Sequence, residues 1–247
     1  MEDFEGYLQK MEKALADKLF FLQLVDLSEF DIVLDFGCAN GVLLKKCAEK
    51  YSCVDFFGYD NSTMMIENAR NTNDFKNAHF YSNLTEVLPK LENKKYLIIF
   101  SSVLHEVNKD DHESILNLMQ NSHAVVIRDM FFDRLQNKPL DCSNILQSKK
   151  GNIYLKQFEE KYGKIDNLLN LYHYFLKYTY TQNWQTELLE NYFSIDYDYI
   201  IEFLKSNGFE IFYDEKFVLP FKQTEVKQNF DFDLNLPTHR KLILKRQ

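Results

Sequence analysis

The chain has 247 residues, 45% of them hydrophobic and 27% charged, with a formal net charge of −8. That balance is ordinary for a globular protein able to bury a sizeable core. The acidic excess sits in residues 1–132, which hold 13 Lys and Arg against 21 Asp and Glu, so a broad nucleic-acid-binding face is not expected there.

Four cysteines, Cys38, Cys47, Cys53 and Cys142, form no CxxC pair and have no histidine at zinc-finger spacing. They read as reduced thiols of a cytoplasmic protein without structural metal. The start Met1-Glu2-Asp3-Phe4-Glu5 lacks a signal-peptide pattern, and apolar runs such as Leu19–Leu22 are too short to span a membrane.

Phe4, Leu8, Met11, Leu15, Leu19 and Leu22 recur at mostly three- and four-residue spacing, which predicts an amphipathic helix over residues 4–25. A strand is expected at 32–36, then a helix from Asn40 through Lys50. A second strand covers 54–59 and ends at Asp60, and Asn61-Ser62 can cap a helix through Arg70. A short strand follows near 78–81. The unbroken apolar run Tyr96–Phe100 fits a central parallel strand covered on both faces. Asp110, Asp111 and Glu113 suit the first turn of a helix ending near Asn121, and Ala124–Ile127 is a fifth strand.

Residues 133–208 break this alternation. They are helical in pattern, and 14 of the residues from Tyr154 to Phe203 are aromatic, so they read as a packed insertion. The helix Tyr197–Ser206 stops at Asn207-Gly208. Phe209–Leu219 and His239–Lys245 are two strands joined by a polar loop. The whole predicts a doubly wound α/β sheet, with ligands at the C-terminal strand ends. The expected division is a core of 1–132 and 208–247, with an insertion or cap at 133–207.

The most informative stretch is Asp31–Gly41. An apolar strand ends in Asp35-Phe36, and Gly37 and Gly41 bracket a turn into a helix, in a chain with only 7 glycines. Glycine lets bare amides and a helix start approach a ligand. A dinucleotide fingerprint would need further glycines at Ala39 and Val42, so NAD is disfavoured.

The pattern resembles the class I S-adenosylmethionine (SAM) dependent methyltransferases, whose first motif matches Asp35, Gly37, Ala39 and Gly41, with Ala39 in place of a glycine. Asp60 stands where that family places an acid for the ribose hydroxyls, and Asn83 where an acid receives the adenine amino group. Ser101-Ser102-Val103-Leu104-His105 matches the family's fourth motif. The resemblance covers roughly residues 30–132 and 208–246. It implies a Rossmann-like seven-stranded sheet with the last strand antiparallel. It further implies a cofactor site of Asp35, Gly37, Cys38, Ala39, Gly41, Asp60, Asn61, Asn83, Ser101 and Ser102, with S-adenosylhomocysteine (SAH) as product.

His105 is the candidate general base for a hydroxyl acceptor, since imidazole titrates in the useful range; holding the loop is its alternative role. Arg128-Asp129, at the same sheet edge, reads either as a substrate-binding pair or as a structural ion pair. Asp110, Asp111 and His112 fit a helix start better than a metal cluster, and no metal is expected. His173, Tyr178 and Trp184 are candidates for lining a substrate pocket within the aromatic insertion. The Asn/Asp-Pro-Pro-Tyr signature is absent at Ser101–Leu104, and no Pro-Cys nucleophile appears, which points to transfer onto oxygen or an amine nitrogen of a small molecule or peptide. RNA as the substrate, with Lys149, Lys150, Lys156, Lys161 and Lys164 on phosphates, stays open, as does a catalytically silent binding module.

Overall fold

The computed structural model describes residues 15–107 and 109–247. The helix expected over 4–25 lies outside them up to residue 14. Residues 15–18 are helical, and a 3-10 turn at Phe20–Gln23 follows.

Seven strands form one sheet in the order β3-β2-β1-β4-β5-β7-β6, with helices flanking it and the last strand antiparallel. The strands are β1 Ile32–Phe36, β2 Asp55–Tyr59, β3 Ala78–Tyr81, β4 Tyr96–Ser101, β5 Ala124–Met130, β6 Phe209–Phe217 and β7 His239–Arg246. Every residue of β4 and β5 is buried, which is why Tyr96–Phe100 shows no polar alternation. In the parallel register Phe36 stands beside Tyr59 on one side and Phe100 on the other. The loops leaving β1, β2 and β4 therefore emerge together at one edge.

Local chemistry sets the helix starts. Gly41, at φ +73°, turns the chain directly into the helix Val42–Ala48. Ser62 accepts the Met65 amide and caps the helix Thr63–Asn71, as its sequence position suggests. The helix His112–Gln120 buries Ile115, Leu118 and Met119.

The chain divides into two compact units. The first takes in the chain up to Asp129 with 196–214 and 241–247; the second comprises 130–195 and 215–240. This boundary differs from the expected one. The helix Tyr197–Ser206 belongs with the first unit, where it packs against the helix His112–Gln120. The second unit has its own aromatic core, including Phe158, Tyr172, Tyr174, Phe175, Trp184 and Phe230. Its central helix, Leu168–Tyr178, is buried from Leu171 through Lys177. The expected polar loop between β6 and β7 is in fact a helix, Pro220–Phe230, with proline in its first turn. Among the described residues, no helix is long and apolar enough to cross a membrane.

Candidate cofactor site

A cavity of about 550 Å³ opens in the first unit at the edge where β1, β2 and β4 end. Asp35, Gly37, Cys38, Ala39, Asp60, Asn61, Ser101 and Ser102 line it, so eight of the ten expected cofactor residues come together. Gly41 stands just behind, leading into Val42 and Leu43 of the wall. Asn83 does not line the cavity. Its Oδ1 accepts from the Thr85 amide at 3.0 Å and caps a 3-10 turn, and the neighbouring Leu84 forms the wall instead.

The glycine loop is held by contacts that explain its sequence. A Cβ on Gly37, at φ +78°, would sit 2.4 Å from Val103 Cγ2. One on Gly41 would meet Phe80 Cε1 at 2.2 Å. Only glycine fits either place. Ala39 adopts φ +46° although it carries a Cβ, and Ser102 across the cavity adopts φ +60°. Non-glycine residues in this region are held there by their surroundings and cluster at ligand sites. Ser102 is held in part by Arg128 Nη1, which donates to its Oγ at 2.8 Å.

The electrostatics are uneven. Asp35 is 3% exposed, and its Oδ1 has no hydrogen-bond partner. Burial pushes its carboxyl up to about 7, against the pull of Lys18 and with the repulsion of Asp60. Ser101 Oγ is likewise buried without a partner. Burial, Asp35 and Asp60 raise the Cys38 thiol well above its usual range, which makes it an inert wall group. Orphaned polar atoms beside a loop with no room for side chains suit a polar, nucleotide-like ligand with a cationic end, and SAM is such a molecule.

Lys18 escaped the sequence reading. It lines the cavity with Leu15, three residues earlier on the same face of the helical segment. The segment is fixed by Asp17, which takes Arg128 Nε at 2.9 Å and Nη2 at 2.7 Å, and Lys241 Nζ at 2.8 Å. Arg128 is thus engaged by Asp17 and Ser102.

His105 and Asp129 meet behind the cavity wall. Asp129 Oδ2 accepts from the amides of Val103, at 2.9 Å, and Leu104, at 2.7 Å. Its Oδ1 lies 2.5 Å from His105 Nδ1, and the imidazole is 6% exposed. Val103, Glu106 and Val107 line the cavity, whereas His105 and Asp129 do not. Asp111 reaches the wall from the helix start.

The three aromatic-region candidates lie in the second unit. His173 is buried against Phe158, Tyr162, Tyr192 and Phe193. Trp184 Nε1 donates to Gln157 Oε1 at 2.7 Å, and Tyr178 packs on Tyr154 and Phe230 beneath Lys149. Each belongs to that unit's core, and none lines the cavity.

Residues 33–123 match the family model described as "Methyltransferase domain". Comparison of the sequence with curated proteins finds no match. Among solved structures, a SAM-dependent methyltransferase from Anabaena variabilis is 14% identical at a TM-score of 0.54, over 96% of this chain and 85% of that one. PKMT2 from Rickettsia typhi, in complex with AdoHcy, is 20% identical at a TM-score of 0.54, over 90% of this chain and 50% of that one. The plantazolicin methyltransferase BamL, in complex with a triazolic desmethylPZN analog and SAH, is 11% identical at 0.56, over 100% and 91%. Residues 33–123 thus match a methyltransferase domain, and the strand order is that of the class I methyltransferase fold.

Proposed function

We propose that the chain transfers a methyl group to an oxygen or amine nitrogen of a small molecule or peptide. The observation that carries the reading is the cavity itself, with the glycine loop, Asp60 and Ser101-Ser102 lining it beside Asp35, whose Oδ1 has no hydrogen-bond partner. Asp35, Gly37, Cys38, Ala39, Gly41, Asp60, Asn61, Ser101 and Ser102 would hold the cofactor. When bound, SAM supplies an electrophilic methyl on a sulfonium, so the protein's task is alignment of the acceptor and control of its proton.

For a hydroxyl acceptor that proton must leave, and His105, which lies just behind the wall, is our candidate to take it. A carboxylate can only accept hydrogen bonds, so Asp129 fixes the proton of a neutral imidazole on Nδ1 and leaves Nε2 basic. A neutral amine acceptor would need no such base. Arg128 acts by pinning Ser102 and Asp17 rather than by touching the acceptor. Within the second unit, Tyr178 and Trp184 belong to the aromatic core against which His173 packs. Buried or free thiols at Cys38, Cys47, Cys53 and Cys142 fit a cytoplasmic setting.

Calorimetric titration with SAH, followed by incubation with SAM and panels of phenols, amines, peptides and RNA, tests this. Saturable SAH binding and a one-methyl mass gain on a phenol, amine or peptide are expected. Failure to bind SAM or SAH would leave a silent binding module, and transfer to RNA alone would replace the acceptor class.

A further inference from the structure

Arg128 stands outside the cavity yet touches the elements that form two of its walls. It lies near the end of β5, is 3% exposed and does not line the cavity. Its Nε, at 2.9 Å, and Nη2, at 2.7 Å, meet Asp17 Oδ2, while its Nη1 donates to Ser102 Oγ at 2.8 Å. Asp17 belongs to the helical segment that brings Leu15 and Lys18 to the cavity, and Ser102 lines it from the loop after β4. A guanidinium is one rigid plane, so it cannot turn away from one partner and keep its geometry with the other. Ser102 sits at φ +60°, where a residue with a Cβ stays only if its surroundings hold it. Arg128 holds it twice, because the Ser102 amide also donates to the Arg128 carbonyl at 2.7 Å.

We propose that Arg128 is a positioning residue that joins the 15–18 segment to Ser102, so that the two walls take up their arrangement together. The coupling rests on the methyltransferase reading only for the ligand that probes it. Docking of Asp17 aligns the guanidinium for Ser102, and Ser102 in turn holds it for Asp17. Such coupling is reciprocal: what loosens the segment loosens the β4 loop, and the reverse. Lys241 limits its strength, because its contact with Asp17 Oδ1 holds the segment independently of Arg128. A ligand that contacts both walls selects the joined arrangement, so it tightens the segment although Asp17 does not line the cavity.

The test leaves the buried Arg128 in place and changes its partners. Hydrogen exchange is followed, with and without SAH, in the wild type, Asp17→Asn, Ser102→Ala and the double variant. The probes are the amides of residues 15–25 and those of Ser102, Val103 and Leu104, which bond to Arg128 and Asp129. In ligand-free protein Asp17→Asn should lower protection of the β4-loop amides about fivefold or more, and Ser102→Ala should do the same to the segment. In the double variant each wall should match the single variant altered at that wall within about twofold, because the link is already broken. The helix Tyr197–Ser206, which does not line the cavity, should stay within about twofold of the wild type throughout. SAH should raise protection at both walls of the wild type. Losses confined to the altered wall, an additive double variant, an equal loss in the helix Tyr197–Ser206, or SAH protection at one wall only would each overturn the proposal. Wild-type protein that binds no SAH while the ligand-free cross-effects hold would instead bring down the cofactor reading and leave the coupling standing.

Discussion

Asp60 Oδ2 accepts the Ala39 amide at 2.8 Å, so the carboxylate ending β2 holds the glycine loop that leaves β1. Its Oδ1 accepts the Ser62 amide at 2.9 Å. Each oxygen retains a lone pair for a ligand hydroxyl, so one side chain shapes the loop and faces the cavity. Asp60→Ala should therefore weaken SAH binding by about 1.5–3 kcal/mol, the range for hydrogen bonds to a charged group. It should also lower stability by about 1–3 kcal/mol, since two amides lose their acceptor. Calorimetry and urea unfolding measure the two effects separately. Unchanged affinity in a folded Asp60→Ala protein would put the cofactor elsewhere.

The loop also makes a prediction of opposite signs at neighbouring positions. Gly37→Ala forces a Cβ to 2.4 Å from Val103 Cγ2 in a left-handed conformation, for an expected loss of about 2–4 kcal/mol. Adding Val103→Ala should recover only part, because Val103 Cβ itself stands 2.8 Å from the new atom. Ala39→Gly should instead stabilise by about 0.5–1 kcal/mol, since Ala39 already occupies φ +46°. Denaturant midpoints of the three variants check the ordering.

The strands and the glycine loop were legible because their determinants are local. Apolar runs, capping Ser62 and the Gly37/Gly41 pair each act within a few residues. Lys18 was not legible, because its placement depends on Asp17 meeting Arg128 across 111 positions. Asn83 shows the converse: its side chain serves the local turn through Thr85 rather than the cavity. The helix Pro220–Phe230 looked like a loop because its interior is largely polar; it buries Lys222, Val226 and Phe230. Likewise, the helical pattern of 133–208 hid the fact that Tyr197–Ser206 belongs with the first unit.

Asp35 predicts a pH dependence of the ligand-free protein. Its carboxyl is raised from 3.8 to about 7 by burial, so the folded state keeps a proton that the unfolded chain releases. Stability from this group should therefore fall as pH rises from 3.8 towards about 7 and level off above, by an amount on the order of a few kcal/mol at most. Asp35→Asn should flatten that slope. An ammonium-bearing ligand favours the ionised carboxylate, so the thermal shift produced by SAH should grow over the same interval. A shift independent of pH in the wild type would remove Asp35 from ligand contact.

The pairing of His105 with Asp129 supplies the last test, and it separates a proton acceptor from a loop support. Asp129 Oδ1 lies 2.5 Å from His105 Nδ1, while its Oδ2 holds the Val103 and Leu104 amides. His105→Gln removes the basic nitrogen and leaves those amides bonded. With a hydroxyl acceptor it should lower kcat by about 10²–10⁴-fold while SAH affinity stays within about twofold. Asp129→Asn is subtler, because the amide oxygen can still accept from the backbone while its NH₂ donates to Nδ1. That reversal puts the proton of the neutral ring on Nε2, so kcat should fall although the protein stays folded. If both variants turn over like the wild type, His105 is a support for the β4 loop, and the acceptor is an amine that needs no base.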